Sequence, residues 1–290
     1  MTSDTTSAPS TAFRAVGGLR LLTWPALDAS GAGAAVTARS GGVSSGPYTS
    51  LNLSLSVGDD PGRVLENRRR LAAAFGAAPG DFVFARQVHG AGARVVTEAD
   101  RGSGAFSLDD AVGAAGGVGG VDALVTTSPE VVLAILTADC VPIVLHDPVA
   151  GVLACVHAGW RGTVAGVTAA ALTAMQDLGT RSANITAGIG PAIGADRYQV
   201  GPDVHQAVTR TFGPAAAGFI RPDPSAAGRW LLDLWAANRH ALRQAGVPGP
   251  RIHTTGIPTG PVPGYFFSDR TARPCGRLAL AARLRPGGAR

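Results

Sequence analysis

Lysine is absent from the 290 residues, so all 25 basic side chains are arginines. The matching abundance of alanine and glycine points to composition bias, not to a basic binding surface. The net charge of +5 is spread along the chain. A nucleic-acid partner would call for a clustered basic stripe, so none is expected; a small anionic substrate accounts for the excess equally well. Cysteine is scarce: three residues, Cys140, Cys155 and Cys275, exclude a disulfide framework, and the odd count reads as a cytosolic chain. Charged residues are few, 16% against 46% hydrophobic, which excludes wholesale disorder. Long hydrophobic runs are also missing. The most apolar stretch, residues 131–156, is interrupted by Asp139, His146, Asp147 and two prolines, well short of the ~20 apolar residues a spanning helix requires. The opening Met-Thr-Ser-Asp-Thr-Thr-Ser carries no signal-peptide pattern, so a cytoplasmic protein without a membrane partner is expected. The 40 glycines and 20 prolines are scattered without a period, which excludes collagen and repeat architectures.

What is present is an interleaved pattern of strands and helices. Residues 1–12 form a Ser/Thr/Ala/Pro tail expected to be disordered, followed by one domain over 13–290. Strands are expected at 19–24, 34–38, 82–88, 94–97, 122–126, 131–136, 141–145, 152–156, 184–189 and 251–257. Helices are expected from Asp59-Asp60-Pro61 onward, an acidic cap with proline in the first turn, and over 163–178, 202–212 and 229–245. An Ala/Gly-rich stretch, 111–120, reads as a mobile loop. The alternation is not strictly βαβ and includes a hairpin, which predicts a mixed-sheet α/β (α+β) fold.

That hairpin brings chemistry together. A four-residue turn at 147–150 pairs Cys140 with His157, with Cβ atoms ~5 Å apart, a spacing that suits a shared metal. His146 shares the face but lies ~20 Å along the strand and is excluded. His89, closing Arg86-Gln87-Val88-His89-Gly90, is the best-placed third ligand. A His89–Cys140–His157 set leaves one position open, as in catalytic zinc sites. Two other readings stand beside it: Cys140 as a small buried hydrophobe, and Cys140 as a nucleophile activated by His157. After His157, Gly159-Trp160-Arg161-Gly162-Thr163 runs into a helix whose N–H groups, with Arg161, suit an anion; Thr163 reads equally as a helix cap. Asp139 is the carboxylate nearest the proposed metal and a candidate proton carrier, although strand alternation turns it away unless the backbone bends. Arg68, within Arg68-Arg69-Arg70, reads as part of a solvated face. Cys155, Cys275, His205 and His240 are assigned to structure.

Nine motifs carry a resemblance over residues 30–285. They are Gly-Gly-Val-Ser-Ser-Gly-Pro-Tyr-Thr-Ser-Leu-Asn-Leu (41–53), Val-Gly-Asp-Asp-Pro (57–61), Glu-Asn-Arg (66–68) and Arg-Gln-Val-His-Gly (86–90). Asp-Ala-Leu-Val-Thr (122–126), Thr-Ala-Asp-Cys-Val-Pro-Ile (137–143) and His-Ala-Gly-Trp-Arg-Gly-Thr (157–163) follow. Gly-Pro-Ala-Ile-Gly (190–194) and Leu-Asp-Leu-Trp-Ala-Ala-Asn-Arg (232–239) complete the set.

In this order they resemble the YfiH-type purine nucleoside phosphorylase family, whose older name is the laccase-domain or polyphenol-oxidase family. The resemblance implies a four-layer α/β/β/α fold and a zinc site at His89, Cys140 and His157. It implies purine nucleosides (adenosine, inosine, methylthioadenosine) and phosphate as substrates, with adenosine deamination as a second activity. It makes Arg68 and Cys140 active-site residues and Asn52 and Arg161 substrate contacts. The older name implies copper-dependent phenol oxidation as an alternative, and a related label implies a non-catalytic factor in peptidoglycan-precursor editing. One His–Cys–His cluster is too small for a multicopper centre. A monomer or homodimer is expected. The chain departs from the family pattern at Gln199, His253, Asp269-Arg270 and Cys275-Gly276-Arg277.

Overall fold

The computed structural model describes residues 10–113, 120–262 and 264–285. Most of the expected N-terminal tail and the centre of the 111–120 loop lie outside the described residues. Two six-stranded mixed sheets stack face to face. The first has the order β1 (Ala12–Val16), β2 (Leu19–Thr23), β3 (Ala32–Thr37), β15 (Leu278–Leu284), β7 (Val132–Thr137), β4 (Phe82–Phe84). The second has the order β14 (Ile252–Thr254), β10 (Thr186–Ile189), β8 (Val141–Asp147), β9 (Val152–Ala158), β6 (Ala123–Thr126), β5 (Ala93–Val95). A small third sheet joins β11 (Gln199–Val200), β13 (Trp230–Leu232) and β12 (Ile220–Pro222).

Strand alternation, period two, divides the interior into three cores. In β8 and β9, Val144, Leu153 and Cys155 point at the first sheet and meet Val36, Leu133, Ile135 and Leu280. Ile143, Leu145, Ala154 and Val156 point the other way. There they meet residues of α4 (Val167–Gln176), α5 (Pro202–Phe212) and α6 (Leu234–Gln244), beside the short α3 (Trp160–Ala165). The outer face of the first sheet is partly covered by α2 (Pro61–Ala74) through Leu71 and Ala72. The remaining helix, α1 (Pro25–Ser30), adds Leu27 to the inter-sheet core. The α/β/β/α layering expected of the fold is therefore what the chain builds.

Several elements differ from expectation. Asp60 caps α2 as predicted, accepting from Arg63 N. The 82–88 strand stops at Phe84, because the Gln87 side chain takes over: its amide donates to Leu136 O and accepts from Leu136 N, both at 2.7 Å. The 163–178 helix starts earlier, at Trp160, and breaks at Gly166, where φ is 85°. Gly159, not Thr163, occupies its cap position. The 229–245 segment is a strand followed by a helix, which Asp233 starts by accepting from Ala236 N. The edge strand β1 and the central strand β15 are additions to the expected set. Residues 278–284, Leu-Ala-Leu-Ala-Ala-Arg-Leu, are buried on both faces and show no alternation that a sequence pattern can detect.

Candidate active site

The hairpin forms, but one residue later than expected. Asp147 pairs with Val152, and Pro142, not Cys140, lies opposite His157. The loop is held by the Asp147 carboxylate, which accepts from Val149 N and Ala150 N, while Gly151 supplies the positive φ of 67°. The shift of one loop residue preserves the faces, so His157 still points between the sheets. It places Cys140 past the strand end.

Cys140 is brought back by a different device. Residues 138–140 carry the chain from β7 in the first sheet to β8 in the second. The 85–92 segment makes the same crossing from β4 to β5. Each crossing contains a non-glycine residue at positive φ, Asp139 at 104° and His89 at 60°, and no other non-glycine residue among those described has one. Such conformations are strained and concentrate at functional sites. The two bends deliver Cys140 and His89 to the end of β9, where His157 stands. The ligand atoms of all three lie within 4.8 Å of one another.

Asp122, at the head of β6, organises this cluster. It is fully buried, its Oδ1 lies 2.7 Å from His157 Nδ1, and it accepts from the backbone N–H groups of Val88, His89 and Gly90. One carboxylate therefore fixes the His157 ring and the His89 backbone together, leaving His157 Nε2 toward Cys140. In the sequence Asp122 reads only as a strand boundary. The available signal is a lone acidic residue entering an otherwise apolar buried strand.

The electrostatics are those of an ion pair. Burial raises the Cys140 thiol, but the charge and hydrogen bonding of His157, with help from His89, outweigh it and bring the thiol below its usual value. Burial likewise opposes charge on His157, yet Cys140 and Asp122 push its imidazole up. A thiolate beside an imidazolium results. For Asp122, too, burial opposes ionisation and is overcome, chiefly by the hydrogen bond to His157, with its pKa lowered. Two imidazoles and one thiolate, with a carboxylate behind one of them, are a donor set that fits a tetrahedral metal with a vacant position.

Close approach of the backbone completes the cluster. A Cβ added to Gly159 would lie 2.8 Å from Cys140 Sγ and 3.2 Å from His89 Cδ2. Glycine is required there because any side chain occupies the space in which the ligands converge.

The cluster opens into a cleft of about 850 Å³. Of the residues proposed from the sequence, Asp139, Arg161 and the three metal-ligand candidates line it. Arg161 lies over the Trp160 ring at 4.6 Å and has no hydrogen-bond partner among the described residues. Asp139 accepts from Thr259 Oγ1 at 2.6 Å and Arg270 N at 2.7 Å; burial is the main cause that pushes its pKa up. The bend that strand alternation disallowed is the one its positive φ supplies. Tyr198 joins the lining unforeseen, with burial raising its phenol.

Arg68 and Asn52 do not line the cleft. Arg68 is 4% exposed and donates to Leu53 O, Gly104 O and Ala105 O, so it is not part of a solvated face either. Its neighbours Arg69 and Arg70 are the surface pair, both held by Glu66. Asn52 is buried and accepts from Ser54 N and Arg277 N, acting within the framework. The divergent C-terminal segment forms one cleft wall: Asp269 pairs with Arg273 and Arg277, and Arg270 lies over Tyr198. His253 and Gln199 lie outside the cleft; Gln199 bonds to Asp223.

Fold and site together define a mixed-sheet α/β protein with a His–Cys–His cluster in an arginine-lined cleft. The family model described as multi-copper polyphenol oxidoreductase laccase matches residues 33–285, and the chain belongs to that family. It is 40% identical over 247 residues to a purine nucleoside phosphorylase, YlmD, of Geobacillus stearothermophilus, covering 84% of this chain and 86% of the relative. A purine nucleoside phosphorylase of Deinococcus radiodurans is 44% identical over 213 residues, 73% of this chain and 75% of the relative. The crystal structure of YlmD superposes with a TM-score of 0.88 at 37% identity, over 96% of this chain and 100% of that one. The structure of a Bacillus licheniformis hypothetical protein, YfiH, gives 0.86 at 32%, over 94% and 99%.

Proposed function

We propose that this protein is a metal-dependent purine nucleoside phosphorylase. The observation that carries the proposal is the convergence of His89, Cys140 and His157 in a cleft that Arg161 also lines, with no hydrogen-bond partner for that arginine among the described residues. The names of relatives at 40% and 44% identity support the same reaction. Zinc is the metal favoured by two imidazoles and a thiolate in an open site; the donor set also suits copper. Bound there, the ion supplies a Lewis acid that stabilises negative charge developing on the reactants.

The chain's own residues do the rest. Arg161 offers a planar fork to phosphate and holds it as the attacking group beside the sugar. Phosphorolysis then forms a bond from a phosphate oxygen to the anomeric carbon, and the glycosidic bond breaks toward the base. Asp139, a cleft carboxyl whose pKa burial raises, is the group assigned in this reading to give a proton to the departing base.

Adenosine deamination is a second reading, favoured by one observation. The reaction needs a carboxyl group beside the metal to carry protons, and Asp139 lines the cleft next to Cys140. One assay separates the two. Zinc-loaded protein is incubated with adenosine, inosine and methylthioadenosine, each with and without phosphate, and the products are resolved by chromatography. Phosphate-dependent release of free base supports phosphorolysis, and inosine formed from adenosine without phosphate supports deamination. No product from any nucleoside contradicts both and favours a binding role. Full turnover by Cys140→Ala protein would contradict the proposed centre.

A further inference from the structure

Arg68 sits outside the cleft, yet its guanidinium joins the roots of three segments that form a cleft wall. Nε donates to Leu53 O at 2.9 Å, one residue before Ser54, and Ser54 and Ser56 line the cleft. Nη1 donates to Gly104 O at 2.5 Å and Ala105 O at 2.8 Å. These carbonyls begin the loop that carries Leu108 and Asp109 into the cleft. The guanidinium carbon lies 4.0 Å from the centre of the Phe84 ring, and the chain after Phe84 supplies Ala85 and Arg86 to the lining. The loop is closed on itself by Asp110 Oδ1, which accepts from Gly104 N. A Cβ at Gly104, where φ is 70°, would lie 2.8 Å from Phe84 Cβ, so loop and strand are packed as tightly as backbone permits.

We infer that Arg68 is a positioning residue: one buried guanidinium on α2 sets the spacing of the 54–56, 85–86 and 104–109 segments, and so the width of the cleft along the wall that the phosphorylase reading, with phosphate at Arg161, leaves to the nucleoside. No carboxylate forms an ion pair with it among the described residues; Nε and Nη1 meet carbonyl dipoles and the plane meets an aromatic face, while Nη2 has no hydrogen-bond partner among them. Burial is costly enough to draw its pKa down to about 10. An apolar side chain of the same volume would fill the space but leave the carbonyls of Leu53, Gly104 and Ala105 without this donor. Nor could it hold the backbone at Leu53 and at Gly104-Ala105 at a fixed distance through a rigid planar fork while lying against the Phe84 ring.

Arg68 acts on one wall only. The metal ligands are secured separately, His89 and His157 through Asp122. Its loss should therefore widen the substrate site without releasing the metal. The kinetic form of this inference rests on the phosphorylase reading, so the test has a second readout that does not.

Arg68→Lys and Arg68→Met proteins would be compared with the wild type for zinc content, steady-state kinetics against each substrate, and amide hydrogen exchange. Both variants should retain one zinc. The Met variant should show a nucleoside KM raised about tenfold with kcat changed by less than about threefold, the pattern of lost ground-state binding. The Lys variant, which keeps charge but not the fork, should fall between. Amides over 104–110 should exchange faster in both, and this comparison remains decisive if the wild type shows no phosphorolysis. Three results would overturn the inference: unchanged exchange in Arg68→Lys, a raised phosphate KM with the nucleoside KM unaltered, or loss of zinc together with the kinetic effect.

Discussion

The Asp122 carboxylate lies 2.7 Å from His157 Nδ1 and accepts from three successive backbone N–H groups around His89. Two candidate ligands, one from a sheet crossing and one from β9, are thus fixed by one buried side chain. Replacing Asp122 by Asn keeps the volume but removes the charge and leaves at most one oxygen to accept. Zinc affinity should fall about 10- to 100-fold, the usual cost of losing a carboxylate behind a ligating histidine. Competition with a fluorescent chelator measures this. An unchanged affinity would mean that Asp122 does not orient His157.

Gly159 tests convergence directly. The Cβ of Gly159→Ala would stand 2.8 Å from Cys140 Sγ, so the thiolate must move or the α3 start must shift. The expected outcome is a folded protein, by circular dichroism, that binds zinc at least about tenfold more weakly and loses turnover in proportion. Normal metal content in that variant would place Cys140 outside the centre.

Metal binding should release protons. With the thiol lowered and the imidazole of His157 raised, the cluster at neutral pH is a thiolate with an imidazolium. The thiolate is ready to bind, whereas the imidazolium must first lose its proton. Zinc affinity should therefore rise about tenfold per pH unit through neutrality, with about one proton released per ion. Calorimetry in buffers of different ionisation enthalpy counts that proton. Two or none would contradict the ion pair.

His146 predicts a stability effect at a distance from the site. Its Nδ1 is bonded to Ser30 Oγ, and burial lowers its pKa to about 4, against a small opposing influence from Asp147. Because the folded value lies below the unfolded one of about 6.5, the unfolded chain takes up the proton first. This contribution is complete above that pH and is lost as pH falls toward 4, up to about 3 kcal/mol. Urea unfolding at pH 7 and pH 4 should show a smaller decline in His146→Leu protein than in the wild type. Equal declines would show that His146 is not the group responsible.

The inter-sheet core gives the simplest check of the layering. Ile135 is fully buried between the sheets, and Ile135→Ala should cost about 2–5 kcal/mol by leaving a cavity. Denaturant unfolding reads this out, and a cost below about 1 kcal/mol would argue against close sheet stacking at that point.

Much of the layering is legible in the sequence because it rests on short-range signals, and the three candidate ligands are legible through the resemblance and a hairpin of nearly the right register. Asp60-Pro61 marks a helix start, short apolar runs mark β8 and β9, and a tight turn joins them. The register differs because Gly151, not Asp147, belongs to the turn, and one loop residue moves every partner. The return of Cys140 escapes alternation, since it depends on the bend at Asp139. Long-range relationships leave the faintest trace. Arg68 looks like one of three solvated arginines until Gly104 and Ala105 arrive from far along the chain. Asp122 reveals its role only once His89 and His157 have been folded onto it. β15 is apolar but for Arg283 because both of its faces are buried over most of its length, which erases the period that would identify it.

X-ray absorption at the zinc edge tests the central claim most directly. The account predicts a first shell of one sulfur at ~2.3 Å, two imidazole nitrogens at ~2.1 Å and one further light atom. The sulfur should vanish in Cys140→Ser protein. A shell without sulfur in the wild type, or one with two or more sulfurs, would contradict it.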